Sequence, residues 1–490
     1  MTGLSRLLII AAAAGLGLGA WHPALGAGET RLYLRCKPDN DLHKVLLENK
    51  VPCARFDTPE QAIGGAPEGA GVLVLADEYP KTSLRDLTRK DQVANAAMAR
   101  QFDKCRAEML ADDRKRPRQF IVLNAVPASD FARVRRDFPR SPNAGVEIAV
   151  AGTVSYLEQP RKSSDAGLKQ FLQLAEQSDL PVVVQLDGEC WWGARPELWN
   201  WWDTARPGYS PANRENVEWT GWSPDYAVKI AWRNWGRQIR LLPPPNLMGP
   251  RYRAACHAEM AALVPIVLDW WNGLLGERRE LLIGLKVGWE SSIGVNAWYY
   301  PDGNAMLGQP ESRDPTYGVR GDQPPARGVA QIGYAAVKAA GLRQSGAITE
   351  ADLAEVARRH LEDLARRAHE LGMPRDRIFT HSAGWKEGEL LYGAAVNDFS
   401  CPGWSFYRHA GAPAKDIGVR AALQRNTAPH WAAVEWLYQG PRQRAPWHDA
   451  LVATLRQPGC RYLCIFNWSD IKDSPEILAA IRDVLVGRLP

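Results

Sequence analysis

Several familiar signatures are missing from this chain of 490 residues, and each absence removes a class of function. There is no Cys-x-x-Cys pair and no His-Glu-x-x-His, so the common zinc sites have no ligand set. There is no Gly-x-Ser-x-Gly elbow to present a serine nucleophile. No glycine-rich loop follows a strand-like segment, so no nucleotide is assigned and no cofactor is expected. The net charge is only +5, without a basic stripe interleaved with aromatics, which argues against a nucleic-acid partner. Cysteine is sparse, with eight residues at 36, 53, 105, 190, 256, 401, 460 and 464. One or two disulfides would suit an oxidising compartment. Cys36 with Cys53 is the pair suggested by neighbouring strand-like segments. Cys460 and Cys464 lie too far apart along one strand to bond each other.

Long apolar runs are also scarce. One occupies Leu7–Ala20, after Arg6 and before the small residues Gly26 and Ala27. That is the pattern of a secretory leader over residues 1–27, and it is short for a membrane span. No cysteine near the cleavage point offers a lipid anchor. The expectation is a mature protein that is soluble, not held at a membrane, and periplasmic or secreted.

Tryptophan is abundant but unevenly placed. Of twenty, one lies in the leader, none between Gly28 and Cys190, and the rest between Trp191 and Trp468. Residues 28–142 read as a small α/β domain. Its strands are Arg31–Arg35, Pro52–Phe56, Gly71–Ala76 and Gln119–Asn124, and a long helix falls between Arg89 and Asp112. Alternating strands and helices imply a parallel, doubly wound sheet. Asp77 and Glu78 follow the third strand.

From 143 to 490 eight strand–helix units can be counted. The strands are Gly145–Ala151, Pro181–Asp187, Gln238–Leu242, Leu281–Glu290, Arg377–His381, Ala394–Phe399, His430–Glu435 and Arg461–Asn467. The fold class expected is therefore α/β: a (β/α)8 TIM barrel preceded by the small doubly wound domain. The fourth strand, LLIGLKVGWE, carries most information. With period two, Leu281, Ile283, Leu285, Val287 and Trp289 form one face, for the helices. Leu282, Gly284, Lys286, Gly288 and Glu290 form the other, for the barrel interior. The strand ends on a carboxylate at the face where barrel active sites lie. The seventh strand also ends on one, Glu435. Cleavage of a glycosidic bond needs such a pair, one acid on the leaving oxygen and one carboxylate as nucleophile or base. Trp289 and Trp436 beside them would limit hydration and raise a carboxyl pKa.

Gln185, Asp187 and Glu189 share one face of the second strand and point toward the same mouth. Asp187 and Glu189 are read as hydroxyl binders or as neighbours that tune Glu290; a buried network with Lys286 and Arg233 is the plainer reading. Two long loops, 189–236 and 291–331, are rich in aromatics and polar side chains. Flat rings stack on sugar C–H faces while amides and charges take hydroxyls. The candidates there are Trp191, Trp192, Trp222, Trp232, Trp235, Asn234, Trp298 and Tyr299. His381, at the end of the fifth strand, is a candidate for bonding a hydroxyl or a catalytic Glu. Asp398 and Tyr407 are minor candidates. No metal cluster is expected.

Glu290 in VGWESS and Glu435 in AAVEWLY, at strands four and seven, make residues 143–489 resemble the clan A retaining glycoside hydrolases, a (β/α)8 superfamily. The resemblance implies Glu290 as acid/base and Glu435 as nucleophile. It also implies that Trp468 in CIFNWSD, after the eighth strand, supports the sugar. One departure stands out. The clan has Asn immediately before the acid/base, and this chain has Trp289; Asn296 or Asn234 would have to replace it. The function implied is an exported retaining hydrolase of an oligo- or polysaccharide. The alternatives are a non-catalytic carbohydrate-binding barrel and a metal-dependent barrel hydrolase.

Overall fold

The computed structural model describes residues 32–48, 53–58, 61, 65, 72–74, 118–140, 145–189, 191–229, 231–234, 238–293, 331–383 and 390–487. The leader, the 89–112 helix, Asp77 and Glu78 lie outside these residues. The chain divides into two units, the larger comprising Arg118–Trp271 and Glu280–Pro490.

In the smaller unit, strands β1 (Leu32–Arg35), β2 (Cys53–Phe56) and β3 (Val72–Val74) form a parallel sheet in the order β2-β1-β3. Helix α1 (Asp41–Glu48) follows β1. Cys36 and Cys53 are not bonded to each other, which corrects the suggested disulfide. The register gives the reason. Cys53 pairs with Leu32 at the start of β1, whereas Cys36 follows its end. About four residues of extended chain, roughly 13 Å, separate the two levels, beyond the reach of a disulfide.

The larger unit is a closed barrel of eight parallel strands. Its strands are β4 (Gln119–Asn124), β5 (Val146–Ser155), β6 (Val182–Asp187), β9 (Leu282–Ser291), β10 (Ile378–Ser382), β11 (Gly403–Phe406), β12 (Trp431–Trp436) and β13 (Cys460–Ile465). Three strand assignments need correction. Gln119–Asn124 is the first barrel strand, so the barrel begins near Arg118 and not at 143. Its core-facing sequence gave no sign of which sheet it joins. Gln238–Leu241 is β8, paired antiparallel with β7 (Ala231–Asn234) in a hairpin outside the barrel. The two shifts cancel, so Glu290 still ends strand four and Glu435 still ends strand seven. A third correction concerns strand six. Leu390–Ala395 is a 3₁₀ turn, and the strand is Gly403–Phe406.

Helices α2 (Phe131–Asp137), α3 (Arg161–Gln177), α4 (Pro250–Gly273), α5 (Glu350–Glu370), α6 (Ile417–Arg425), α7 (Arg444–Leu455) and α8 (Pro475–Leu485) connect the strands. Two cores result. Leu282, Leu285 and Val287 join the large one, which is shared with helices. Ile283, Phe379 and Tyr462 belong to the smaller one, which includes residues of several barrel strands. This reverses the sides expected for Leu282 and Ile283, because the register of β9 against β6 shifts between Leu282 and Gly284. There Phe379 and Tyr462 meet edge to face at 4.9 Å. Side chains thus fill the interior, as in other barrels of this strand number, and leave the strand ends for chemistry.

Candidate active site

Both strands that carry a paired carboxylate depart from regular pleating just before it. On β9, Val287 pairs with Thr380 and Ser291 with Ser382, so three residues oppose the single His381. Gly288 and Glu290 both have positive φ, at 80° and 48°. A glycine adopts that backbone freely, but a glutamate does so at a cost of about 1–3 kcal/mol. On β12, Ala432 pairs with Gly403 and Glu435 with Ser405, so two residues oppose one. Such bulges re-aim side chains beside active sites. Both carboxylates are buried, 1% and 3% exposed. Glu290, His381 and Glu435 each offer an atom within 4.8 Å of the others'.

Each carboxylate has its own partner on β11 and its flank. Ser405 Oγ is 3.0 Å from Glu290 Oε1. The Tyr407 hydroxyl donates to Glu435 Oε1. Among the described residues, Glu435 Oε2 is buried and accepts no hydrogen bond. It is 3.9 Å from His381 Nε2. Burial and repulsion from Glu290 push the Glu435 carboxyl well above its ordinary range, and Lys286 opposes them. Two buried carboxyls this close cannot both ionise freely, so the two titrate as a linked pair.

His381 spends both ring nitrogens inside the protein. Nδ1 lies 3.0 Å from Lys286 Nζ, and Nε2 lies 2.9 Å from Ser405 Oγ. It joins strands rather than waiting for a hydroxyl. The Glu290–His381–Glu435 spacing would also suit a divalent ion, but the donor set does not fit one. The Lys286 ammonium lies against this cluster, and the Nε2 position faces the serine.

Glu189 supports the end of β9. Its Oε1 accepts from the Trp289 backbone N–H at 3.2 Å, from Ser291 Oγ, and contacts His360 Nε2 at 3.1 Å. Its own N–H donates to Asp187 Oδ1 at 3.0 Å. Asp187 is buried at the end of β6. Gln185 continues a carboxamide chain across the strand ends, donating to Asn124 at 2.7 Å and to Thr153 at 3.1 Å, while Asn124 donates to Asn467 at 2.6 Å.

The aromatic expectations divide. Trp289 does not lie under the helices. Its ring covers Lys286 Nζ at 3.5 Å and meets His381 and Phe466 edge-on. The bulge on β9 turns it to the mouth, half-exposed. Trp468 is fully buried, its ring N–H donating to Asp130 at 2.7 Å with Arg133 over its face. Trp192 is 1% exposed and donates to the Pro243 carbonyl at 3.1 Å. Both are packing anchors, which corrects their assignment to sugar contact. Trp222 donates to the Gly346 carbonyl and holds its loop. Trp191 is half-buried. Trp232 and Asn234 lie on β7, and their side chains fall outside the described residues, as do Trp235, Asn296, Trp298 and Tyr299. The loop after β6 also uses its amides internally. Asn200, Asn213, Asn216 and Asn246 donate to backbone carbonyls. Replacing Trp468 with Ala is expected to cost about 3–5 kcal/mol of stability, as for other buried large-to-small changes. Thermal unfolding with and without saturating substrate checks this, and an unchanged KM in the folded variant separates packing from sugar stacking.

Two residues not singled out from the sequence, Ser405 and Phe466, complete the mouth, with Lys286, which the plainer reading places in a buried network, at its centre. For Ser405 the alternation in Gly403–Tyr407 was a usable signal. Trp404 and Phe406 join the outer core, leaving Ser405 and Tyr407 for the opposite face.

No family model matches the chain, and no curated protein matches it either. Solved structures do show a likeness. One is a Bacteroidetes-affiliated GH5 cellulase linked with a polysaccharide utilization locus, at 10% identity and TM-score 0.36, covering 76% of this chain and 93% of that one. A glycoside hydrolase family 5 enzyme from Prevotella bryantii has 10% identity and TM-score 0.37, with 76% and 96% covered. The catalytic domain of a beta-amylase from Paenibacillus polymyxa has 8% identity and TM-score 0.40, with 76% and 99% covered. At these values the likeness carries no inference about the reaction, which has to come from the site geometry.

Proposed function

We propose that the protein is a glycoside hydrolase that retains anomeric configuration, with Glu435 as nucleophile and Glu290 as acid/base. The observation that carries this reading is the closeness of the two carboxyl groups, with atoms within 4.8 Å across one barrel mouth. Retaining enzymes hold their carboxyls about 5–5.5 Å apart, while inverting enzymes need about 6.5–9.5 Å to admit a water. The hydrogen bonds suit the same roles. The Tyr407 O–H stabilises Glu435 as an anion and leaves Oε2 open.

In the first step Glu435 Oε2 bonds to the anomeric carbon as the bond to the leaving oxygen breaks. The proton on Glu290 passes to that oxygen. In the second, Glu290 takes a proton from water, the water oxygen bonds to the anomeric carbon, and Glu435 leaves as carboxylate. Trp289 and Phe466 supply the half-exposed apolar rim for a sugar face. Export rests on the leader pattern of residues 1–27, and an oligo- or polysaccharide is the substrate class. The test is a panel of nitrophenyl glycosides and natural oligosaccharides, with the first-formed anomer read by proton NMR. Retention is expected. Inversion would overturn the roles given to the pair, and binding without turnover would favour a carbohydrate-binding barrel.

A further inference from the structure

Lys286 has no part in the two chemical steps, yet it sits beneath them. It is 1% exposed, on the inward face of β9. A buried ammonium is costly unless its charge and its three N–H groups are matched. Here it faces Glu435 on β12, Asp187 on β6, Cys464 on β13, and Glu290 on its own strand. Trp289 covers it from the mouth and His381 on β10 takes a hydrogen bond.

We propose that Lys286 is a positioning residue for the carboxylate pair. Its ammonium sets a one-way hydrogen-bond chain through His381 and Ser405 to Glu290, and its charge holds the negative form of the pair on Glu435. This rests on the acid and nucleophile roles given above.

The direction of the chain follows from chemistry. An ammonium only donates, so His381 Nδ1 must accept from it at 3.0 Å. The ring then carries its hydrogen on Nε2, which donates to Ser405 Oγ at 2.9 Å. The serine hydrogen is left to donate to Glu290 Oε1 at 3.0 Å. A proton on Glu290 is thereby confined to Oε2, the oxygen that does not accept from the serine. Of the two carboxylates, Lys286 acts more strongly on Glu435. Burial lowers the Lys286 pKa to about 8, with Glu435 foremost among the groups opposing that fall. The ammonium therefore predominates at neutral pH and is lost in mild alkali, where the chain loses its fixed direction.

Lys286→Met, Lys286→Arg and Ser405→Ala in the full chain test this, each by two readouts. One is the pH profile of kcat/KM on a nitrophenyl glycoside. The other is infrared titration of the protonated carboxyl band, which needs no substrate. Losing the cation raises the pKa of Glu435, so Lys286→Met is expected to move the acid limb and the carboxyl titration up by about one to three pH units. Lys286→Arg restores both. Losing the serine donor raises the pKa of Glu290, so Ser405→Ala moves the alkaline limb upward instead. If Lys286→Met does not fold, the Ser405→Ala shift decides. Unmoved limbs and an unmoved carboxyl titration in the folded variants overturn the proposal. A carboxyl titration that shifts in Lys286→Met, when the wild-type protein hydrolyses no glycoside, leaves Lys286 its role and removes the hydrolase reading instead.

Discussion

Glu435→Ala is expected to lower kcat on every glycoside on the order of 10⁴-fold or more, because it removes the carboxylate proposed to bond to the anomeric carbon. Glu290→Ala is expected to behave differently. On sugars with poor leaving groups it loses about 10²–10⁴-fold, the usual worth of a general acid. On a dinitrophenyl glycoside, whose leaving group needs no proton, the first step survives and the second stalls. A burst of dinitrophenol followed by slow turnover is the expected trace. The cavities left by the two truncations lie on opposite faces of the sugar. Added azide should therefore attack from opposite sides, giving a glycosyl azide of retained configuration with Glu290→Ala and inverted configuration with Glu435→Ala. The same azide anomer from both variants, or equal loss on all leaving groups, would place the two residues in other roles.

The two acids were legible because each closes a strand-length apolar run in a chain that alternates strand and helix. How they come to face each other was not. Strict alternation along β12 sends Glu435 to the side of Trp431 and Ala433, which pack in the outer core. The irregular register between Ala433 and Trp436 reverses that, and register depends on partner strands that no local pattern names. Tryptophan density misled for a related reason. A ring that can stack on a sugar can equally fill a core, provided its N–H finds an acceptor. Pro243 and Asp130 supply those acceptors for Trp192 and Trp468, and both lie far from them in sequence. Lys286 carried a clearer signal. A lysine on the inward face of a strand within a closed barrel has no path to water and must be paired with something there.

The strain at Glu290 points to the second large effect. Its left-handed φ persists only while the surrounding structure holds it. Trp289 and Ser291, the residues on either side, are both bonded to the single oxygen Glu189 Oε1. His360 from α5 reaches the same atom. Glu189→Ala would leave two buried polar groups and one part-buried backbone N–H without that acceptor, each buried one worth about 1–3 kcal/mol. Unfolding is expected several degrees lower. Activity should fall further than stability alone requires. The backbone around Glu290 can relax to an ordinary strand conformation, and a displacement of about 1 Å at a reacting group costs on the order of 10²-fold. Glu189→Gln keeps an acceptor oxygen and should recover much of both losses. The decisive comparison is kcat/KM measured well below the unfolding temperature. If Glu189→Ala unfolds earlier yet turns over like the parent when folded, Glu290 is held by something other than Glu189, and the bulge on β9 is a packing feature with no hand in catalysis.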